Sequence, residues 1–219
     1  MQHLFHQFTL LGILFSALCS VAEVSLPLNS DWQGIVNTQP AGTTYRIASG
    51  VHRLQSVVPK PGDRFLAQPD AIMKGSKVIA GAQQDPVNQL WYFNGQDQDL
   101  LWYLYNENGT RQQNCGNDLY VDGVRQFHSE TVAELDQPGE FYFDEVANRI
   151  WVYDNPEGKT VEAVVVPHAF FLGTGIDDVR IEGFTVMHYG SPVRPAGAIH
   201  ARFAKRTTLQ WMTVGWNHA

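Results

Sequence analysis

Residues 179–186 place apolar side chains at Val179, Ile181, Phe184 and Val186, with Arg180, Glu182 and Thr185 between them. The same layout returns over residues 207–214, an offset of 28 positions (179 to 207): Leu209 takes the place of Ile181, Met212 of Phe184, Thr213 of Thr185 and Val214 of Val186. Short alternations of this kind read as strands with one buried face. A strand pattern that recurs every 20–50 residues or so marks turns that bury that face only by stacking on one another. A second pair fits the same rhythm, since Ala169-Phe-Phe-Leu and Ala198-Ile-His-Ala lie 29 positions apart (169 to 198). Each turn is expected to hold two or three short strands joined by corners, its ladder hydrogen bonds supplied by the turn above.

The preceding chain reads as β throughout, because no window carries a sustained 3.6-residue period. Residues 43–48, 50–55, 64–67 and 71–79 are the expected strands, the last as one run, and Pro59, Pro61 and Gly62 mark a turn. The rhythm breaks over residues 83–140, where the aromatic runs 90–93 and 100–105 flank the polar segment 94–99. Residues 141–144 and 149–153 read as a hairpin, and 160–166 as a strand leading back into the stack.

Composition narrows the class. Of 219 residues 44% are hydrophobic and 17% charged, which suits a well-buried globular chain, and 19 glycines with 11 prolines suit many short strands and tight turns. A formal charge of −7 argues against non-specific nucleic-acid binding by the whole molecule. From Arg180 onward, however, Arg180, Arg194, Arg202, Lys205 and Arg206 face Glu182 as the sole carboxylate. That imbalance is either a solvated face or a local site for an anionic ligand.

The first residues read as a targeting segment. The apolar run 8–18 has the length of a signal-peptide core, roughly 7–15 residues, and falls short of the 20 or so needed for a membrane span. Ser20 and Ala22 suit cleavage after Ala22, although no Lys or Arg precedes the run. The expected location is secreted, periplasmic or cell-surface, with residues 1–22 removed. Cys115 would then be the remaining cysteine, so no intramolecular disulfide could form. Its polar loop supplies no paired base for a nucleophile. Asn108-Gly-Thr110 matches the N-glycosylation triplet.

Three stretches carry a family resemblance: Gly42-Thr-Thr-Tyr-Arg-Ile, Gly50-Val-His-Arg-Leu-Gln and Pro59-Lys-Pro-Gly-Asp-Arg-Phe. They resemble the N-terminal lead-in of exported right-handed parallel β-helix proteins of the pectin-lyase-like superfamily. Residues 141–153 and 179–186 are similar to segments of the same proteins, so the likeness spans about residues 42–218. It implies an all-β fold: the start of a right-handed parallel β-helix (solenoid) with an inserted antiparallel β subdomain. The expected division is lead-in strands over 23–82, the aromatic-rich insertion over 83–158 and the first helical turns over 159–219. The chain ends at Ala219 directly after a strand and without a polar cap, so it is expected to be the N-terminal piece of a longer protein.

For reaction the resemblance is broad, because the fold hosts lyases, hydrolases, epimerases and adhesins. Lyases of this fold need a cation for the substrate carboxylate and a base for the adjacent proton. The candidate bases are His188, His200 and His218, and the candidate substrate contacts are Tyr189, Arg194 and Asn217. Stacking at the 28-residue offset would set Tyr189 near Asn217 and His188 near Trp216. Trp91 and Trp102 are candidate sugar platforms or core fillers. Asp97 and Asp99 alternate as ligands of a cation might, but a calcium loop needs about six oxygens, so neither metal nor cofactor is expected. Asp177 and Asp178 would point to opposite faces of a strand, which favours a turn role over an acid pair. The expected partner is a polysaccharide, not a nucleic acid, and the oligomeric state is open. The expected function is a polysaccharide lyase or glycoside hydrolase acting on glycans; the alternative is a non-catalytic glycan-binding or adhesion module.

Overall fold

The computed structural model describes residues 23–98, 100–105, 111–191 and 197–217, with 101–105 and 111–115 as backbone alone. It begins with β1 (Glu23–Leu26) and a short helix, α1 (Trp32–Thr38). Asp31 caps that helix by accepting the Gly34 N–H at 3.0 Å. Trp32 and Val36, one turn apart on one face, are fully buried. The helix thus plugs one end of the core, where the Trp32 ring lies 4.9 Å from His52. Residues 32–38 carry no helix in the sequence reading, because seven residues are too few to display a period.

The next strands are β2 (Thr44–Ile47), β3 (Gly50–Arg53), β4 (Arg64–Ala67) and β5 (Ala71–Lys74). A long excursion follows: β6 (Ser76–Ile79), β7 (Gln83–Gln84), β8 (Trp91–Asn94), β9 (Leu101–Tyr105), β10 (Arg111–Cys115), β11 (Leu119–Val121), β12 (Val124–Arg125), β13 (Phe127–His128), β14 (Glu140–Asp144), β15 (Arg149–Val152) and β16 (Val161–Val164). The chain then returns through β17 (Phe170–Leu172), β18 (Arg180–Glu182), β19 (Thr185–Met187), β20 (Ile199–Ala201), β21 (Thr208–Gln210) and β22 (Thr213–Val214).

The structure is all-β, and its framework is parallel. One sheet runs β1-β2-β4-β18-β21, a second β3-β5-β19-β22, and a third pairs β17 with β20. The 28-residue repeat is a spatial one, with Ile181 beside Leu209 and Thr185 beside Thr213. Phe170 lies beside Ile199, so the 29-residue pair is also in register. Along the first sheet Tyr45, Phe65 and Ile181 form one inward column, each fully buried. Tyr45 and Phe65 stack at 4.7 Å, and Phe170 meets Phe65 at 5.1 Å, so aromatic rings fill the space between the sheets. Each such side chain contributes about 1.5–3 kcal/mol by leaving water.

The corners repeat as well. Gly175 and Phe203, Asp178 and Arg206, Gly183 and Trp211, and His188 and Trp216 form four pairs offset by 28, all with φ between +51° and +83°. A non-glycine residue there costs on the order of 1–2 kcal/mol. The neighbouring turn offsets that cost with hydrogen bonds: the Asp178 N–H donates to Lys205 O at 2.9 Å, and the His188 N–H to Trp216 O at 2.9 Å.

The excursion leaves and rejoins the framework at Gly75. Residues 71–79 are expected as one strand, but the run divides there, β5 staying in the parallel sheet and β6 pairing antiparallel with β16. A Cβ on Gly75 would lie 2.6 Å from the His188 carbonyl oxygen, and the Val165 and Val166 N–H groups both donate to Gly75 O at 3.0 Å. The strands between form a β12-β11-β16-β6 sheet, a β13-β14-β15-β8-β7 sheet and the β9–β10 hairpin. The first two enclose a second core that includes Phe93, Leu119, Phe141, Phe143 and Ile150.

Candidate functional site

Two groups of polar side chains stand out, one closed and one open. The closed group joins the excursion to the parallel sheets. Glu162 of β16, 3% exposed, accepts hydrogen bonds from Lys74 Nζ at 3.0 and 3.2 Å and from Arg53 Nη1. The Ser76 hydroxyl bridges Glu162 Oε1 at 3.3 Å and His188 Nδ1 at 3.1 Å. The His188 ring lies flat on Tyr120, 3.7 Å between centroids. Tyr120 donates its hydroxyl to Trp216 O at 2.7 Å, which ties the excursion to the last described turn.

The electrostatics follow from burial. Burial alone would raise the Glu162 carboxyl, but the hydrogen bonds and charges of Lys74 and Arg53 outweigh it and hold the group below its usual range. His188 is pushed down to about 4, first by burial and then by the Lys74 charge, so it is neutral at pH 7. Serine, histidine and glutamate together suggest nucleophilic catalysis, yet here serine lies between the other two, whereas a triad needs histidine in the middle. Ser76 is fully buried and His188 3% exposed, so no polymer reaches them. His188, expected as a base, is placed inside this closed group, between Ser76 and the Tyr120 ring.

The residues trailing each repeat do meet as the offset requires. The Tyr189 N–H donates to Asn217 Oδ1 at 2.9 Å, and Asn217 Nδ2 donates to Val186 O at 3.0 Å and Gly215 O at 2.8 Å. Asn217 is thereby committed to backbone groups. Tyr189 is fully buried, donates its hydroxyl to Gln55 O at 2.9 Å and has its pKa raised by burial. Tyr189 is thus closed off, whereas Asn217 is half-buried and borders a groove with Leu209, Val214 and Trp216. His188 and His200 do not share a site.

The open group lies on the β17–β20 face, a depression of about 420 Å³ lined by His168, Phe171, Gly173, Thr174, His200, Arg202 and Phe203. Strand alternation creates it, because Phe170 and Leu172 point inward and Phe171 outward. Phe171 is paired in register with His200, and their rings stack at 4.8 Å. The His168 ring stands 5.6 Å from His200. His168 Nδ1 lies 2.8 Å from Gly197 O, which fixes Nδ1 as the donor and leaves the Nε2 lone pair as an acceptor. Burial lowers its pKa, the Gly197 bond opposes that, and the nearby His200 adds to it. The Arg202 guanidinium sits 5.0 Å from the Phe203 ring centre, and Phe203 is 69% exposed.

Of the residues singled out in the sequence, His200 and, from the basic run, Arg202 line this depression. Its other members were legible only through the outward phase of β17. Trp91 is half-buried against the core of the excursion, which favours filling over a platform. Arg194, His218, Asp99 and Asn108 fall outside the described residues, as does the segment 1–22, and the side chains of Trp102 and Cys115 do so too. Asp177 accepts the Lys205 N–H at 2.9 Å and Asp178 accepts from Arg206 Nη2 at 2.7 Å, the expected corner role. Among the described residues no group of three metal-ligating side chains occurs, and no helix is long and apolar enough to cross a membrane.

Over 81% of the chain the backbone is similar to that of XylC, a structure of which is a complex with xylose, at a TM-score of 0.65 and 18% identity. A glycoside hydrolase is similar over 77% of the chain, at a TM-score of 0.42 and 12% identity. The chain spans 38% of the first protein and 51% of the second. No protein-family model and no curated protein matches the sequence. The likeness to XylC is one of fold.

Proposed function

We propose that this chain belongs to an exported, carbohydrate-active protein built on a right-handed parallel β-helix, with residues 76–164 as an inserted subdomain. The parallel sheets are read as the faces of one solenoid, because each turn leaves β4 or β18, passes through β5 or β19, and reaches β17 or β20 before closing. Crossover connections between parallel strands are overwhelmingly right-handed. The observation that carries the functional reading is the match of this framework to XylC at a TM-score of 0.65. That protein is solved with a sugar bound, and polysaccharide is the partner proposed for this one. The activity proposed is glycoside hydrolysis or lyase cleavage by the whole protein.

A second reading, sugar binding without catalysis by this part of the protein, is favoured by one observation. Among the described residues the lining of the open depression includes no carboxylate, whereas glycoside hydrolysis normally uses a pair of them. The test is incubation of the protein with xylo-oligosaccharides, neutral glucans and uronic-acid polymers. New reducing ends mark a hydrolase, ultraviolet absorbance of an unsaturated uronide marks a lyase, and saturable binding without product marks a binding module. Neither binding nor product from any glycan refutes the carbohydrate reading.

A further inference from the structure

We infer that the depression between β17, β20 and the 202–203 corner is a binding site for one pyranose unit of a glycan. This rests on the carbohydrate reading above and goes further by assigning the residues. A sugar ring has apolar C–H faces and a rim of hydroxyl groups, so its site needs an aromatic surface with donors and acceptors around it. The depression supplies both. Phe203 offers an exposed ring face, and the stacked Phe171–His200 pair forms a second aromatic wall. His168 Nε2, with its tautomer set by Gly197, accepts from a sugar hydroxyl, while Arg202 donates to hydroxyl or ring oxygens.

The size is also apt, since small-molecule sites occupy about 300–1,000 Å³, and this one measures about 420 Å³. A second groove, about 400 Å³ beside Leu209, Val214 and Trp216, has Asn217 on its lining, already bonded to Val186 O and Gly215 O. It lacks the ring of polar groups a sugar needs. Phe203 lies at a corner with φ +66°, next to Arg202, whose N–H donates to Leu172 O at 2.9 Å.

The test is a titration of the isotope-labelled protein with xylotriose, followed by NMR, for wild type and for Phe203→Ala, Phe203→Trp, His168→Gln and Trp211→Ala. Phe203 and Trp211 are 69% and 74% exposed, so their replacement leaves the core intact. Wild type should show shifts at residues 171–174 and 199–203. Phe203→Ala and His168→Gln should each weaken binding about three- to tenfold, Phe203→Trp should retain it, and Trp211→Ala should leave it unchanged. Undiminished binding in Phe203→Ala and His168→Gln overturns the site while leaving the carbohydrate reading in place. No binding by wild type of xylotriose or of any glycan in the wider panel overturns both.

Discussion

Acid should weaken this protein through His188 before it reaches the carboxylates. In the unfolded chain a histidine titrates near 6.5, and in the fold His188 titrates at about 4. The folded value is depressed, so the unfolded chain takes up the proton first. The stability this neutral imidazole contributes is complete above about pH 6.5 and is lost progressively down to about pH 4. Each unit of separation corresponds to about 1.4 kcal/mol. Between pH 7 and pH 5 the loss should therefore reach about 2 kcal/mol, a large part of the 5–15 kcal/mol or so that typically holds a domain. The Glu162 carboxyl is lowered and acts in the same direction, but its window lies below about pH 4.5, so measurements above pH 5 isolate the histidine. The comparison is wild type against His188→Asn, since asparagine tolerates the φ of +59° and places a polar atom near the Nδ1 position. Urea unfolding followed by tryptophan fluorescence gives both stabilities at pH 7, 6 and 5. The wild-type curve should fall by about 2 kcal/mol relative to the variant, while His168 contributes equally to both and cancels. Parallel curves would refute the burial argument.

Three further outcomes follow from the packing. Glu162→Ala leaves Lys74 and Arg53 without their carboxylate; with side-chain exposures of 17% and 33% they recover some hydration, so the cost should sit near the lower end of a broken buried pair, about 3 kcal/mol by urea unfolding. Gly190→Ala should abolish soluble expression or leave the protein open to limited proteolysis, because the new Cβ would lie 2.0 Å from the Gly116 carbonyl oxygen. Phe65→Ala should cost about 3–5 kcal/mol, whereas Arg206→Ala, which breaks a solvent-screened pair with Asp178, should leave the urea midpoint nearly unchanged; similar losses for the two would contradict the assignment of the core.

The sequence was most legible where local pattern and tertiary pairing agree. Ile181 with Leu209, Phe170 with Ile199, and the approach of Tyr189 to Asn217 all follow from a nearly constant offset, because parallel pairing at that offset turns sequence periodicity into contact. The split at Gly75 was not legible. Residues on both sides read equally well as strand, and the break comes from the close passage of the His188 carbonyl, which no local pattern encodes. The corners at Phe203, Trp211 and Trp216 were equally hidden, since these positions adopt the left-handed region without glycine and are held by the neighbouring turn. The open depression was missed for a related reason. His168 and Phe171 look unremarkable one by one, Arg202 stands out only as one of several basic residues, and the three converge only when β20 is laid against β17. His188 had the right chemistry for a base, but its burial under Tyr120 depends on the excursion folding back over it.

The most direct test of the carbohydrate account is a crystal structure of the protein soaked with xylotriose. The account predicts one sugar ring against Phe203, with a hydroxyl within hydrogen-bond distance of His168 Nε2. A clearly ordered sugar bound elsewhere, with the depression holding only water, would contradict the assignment.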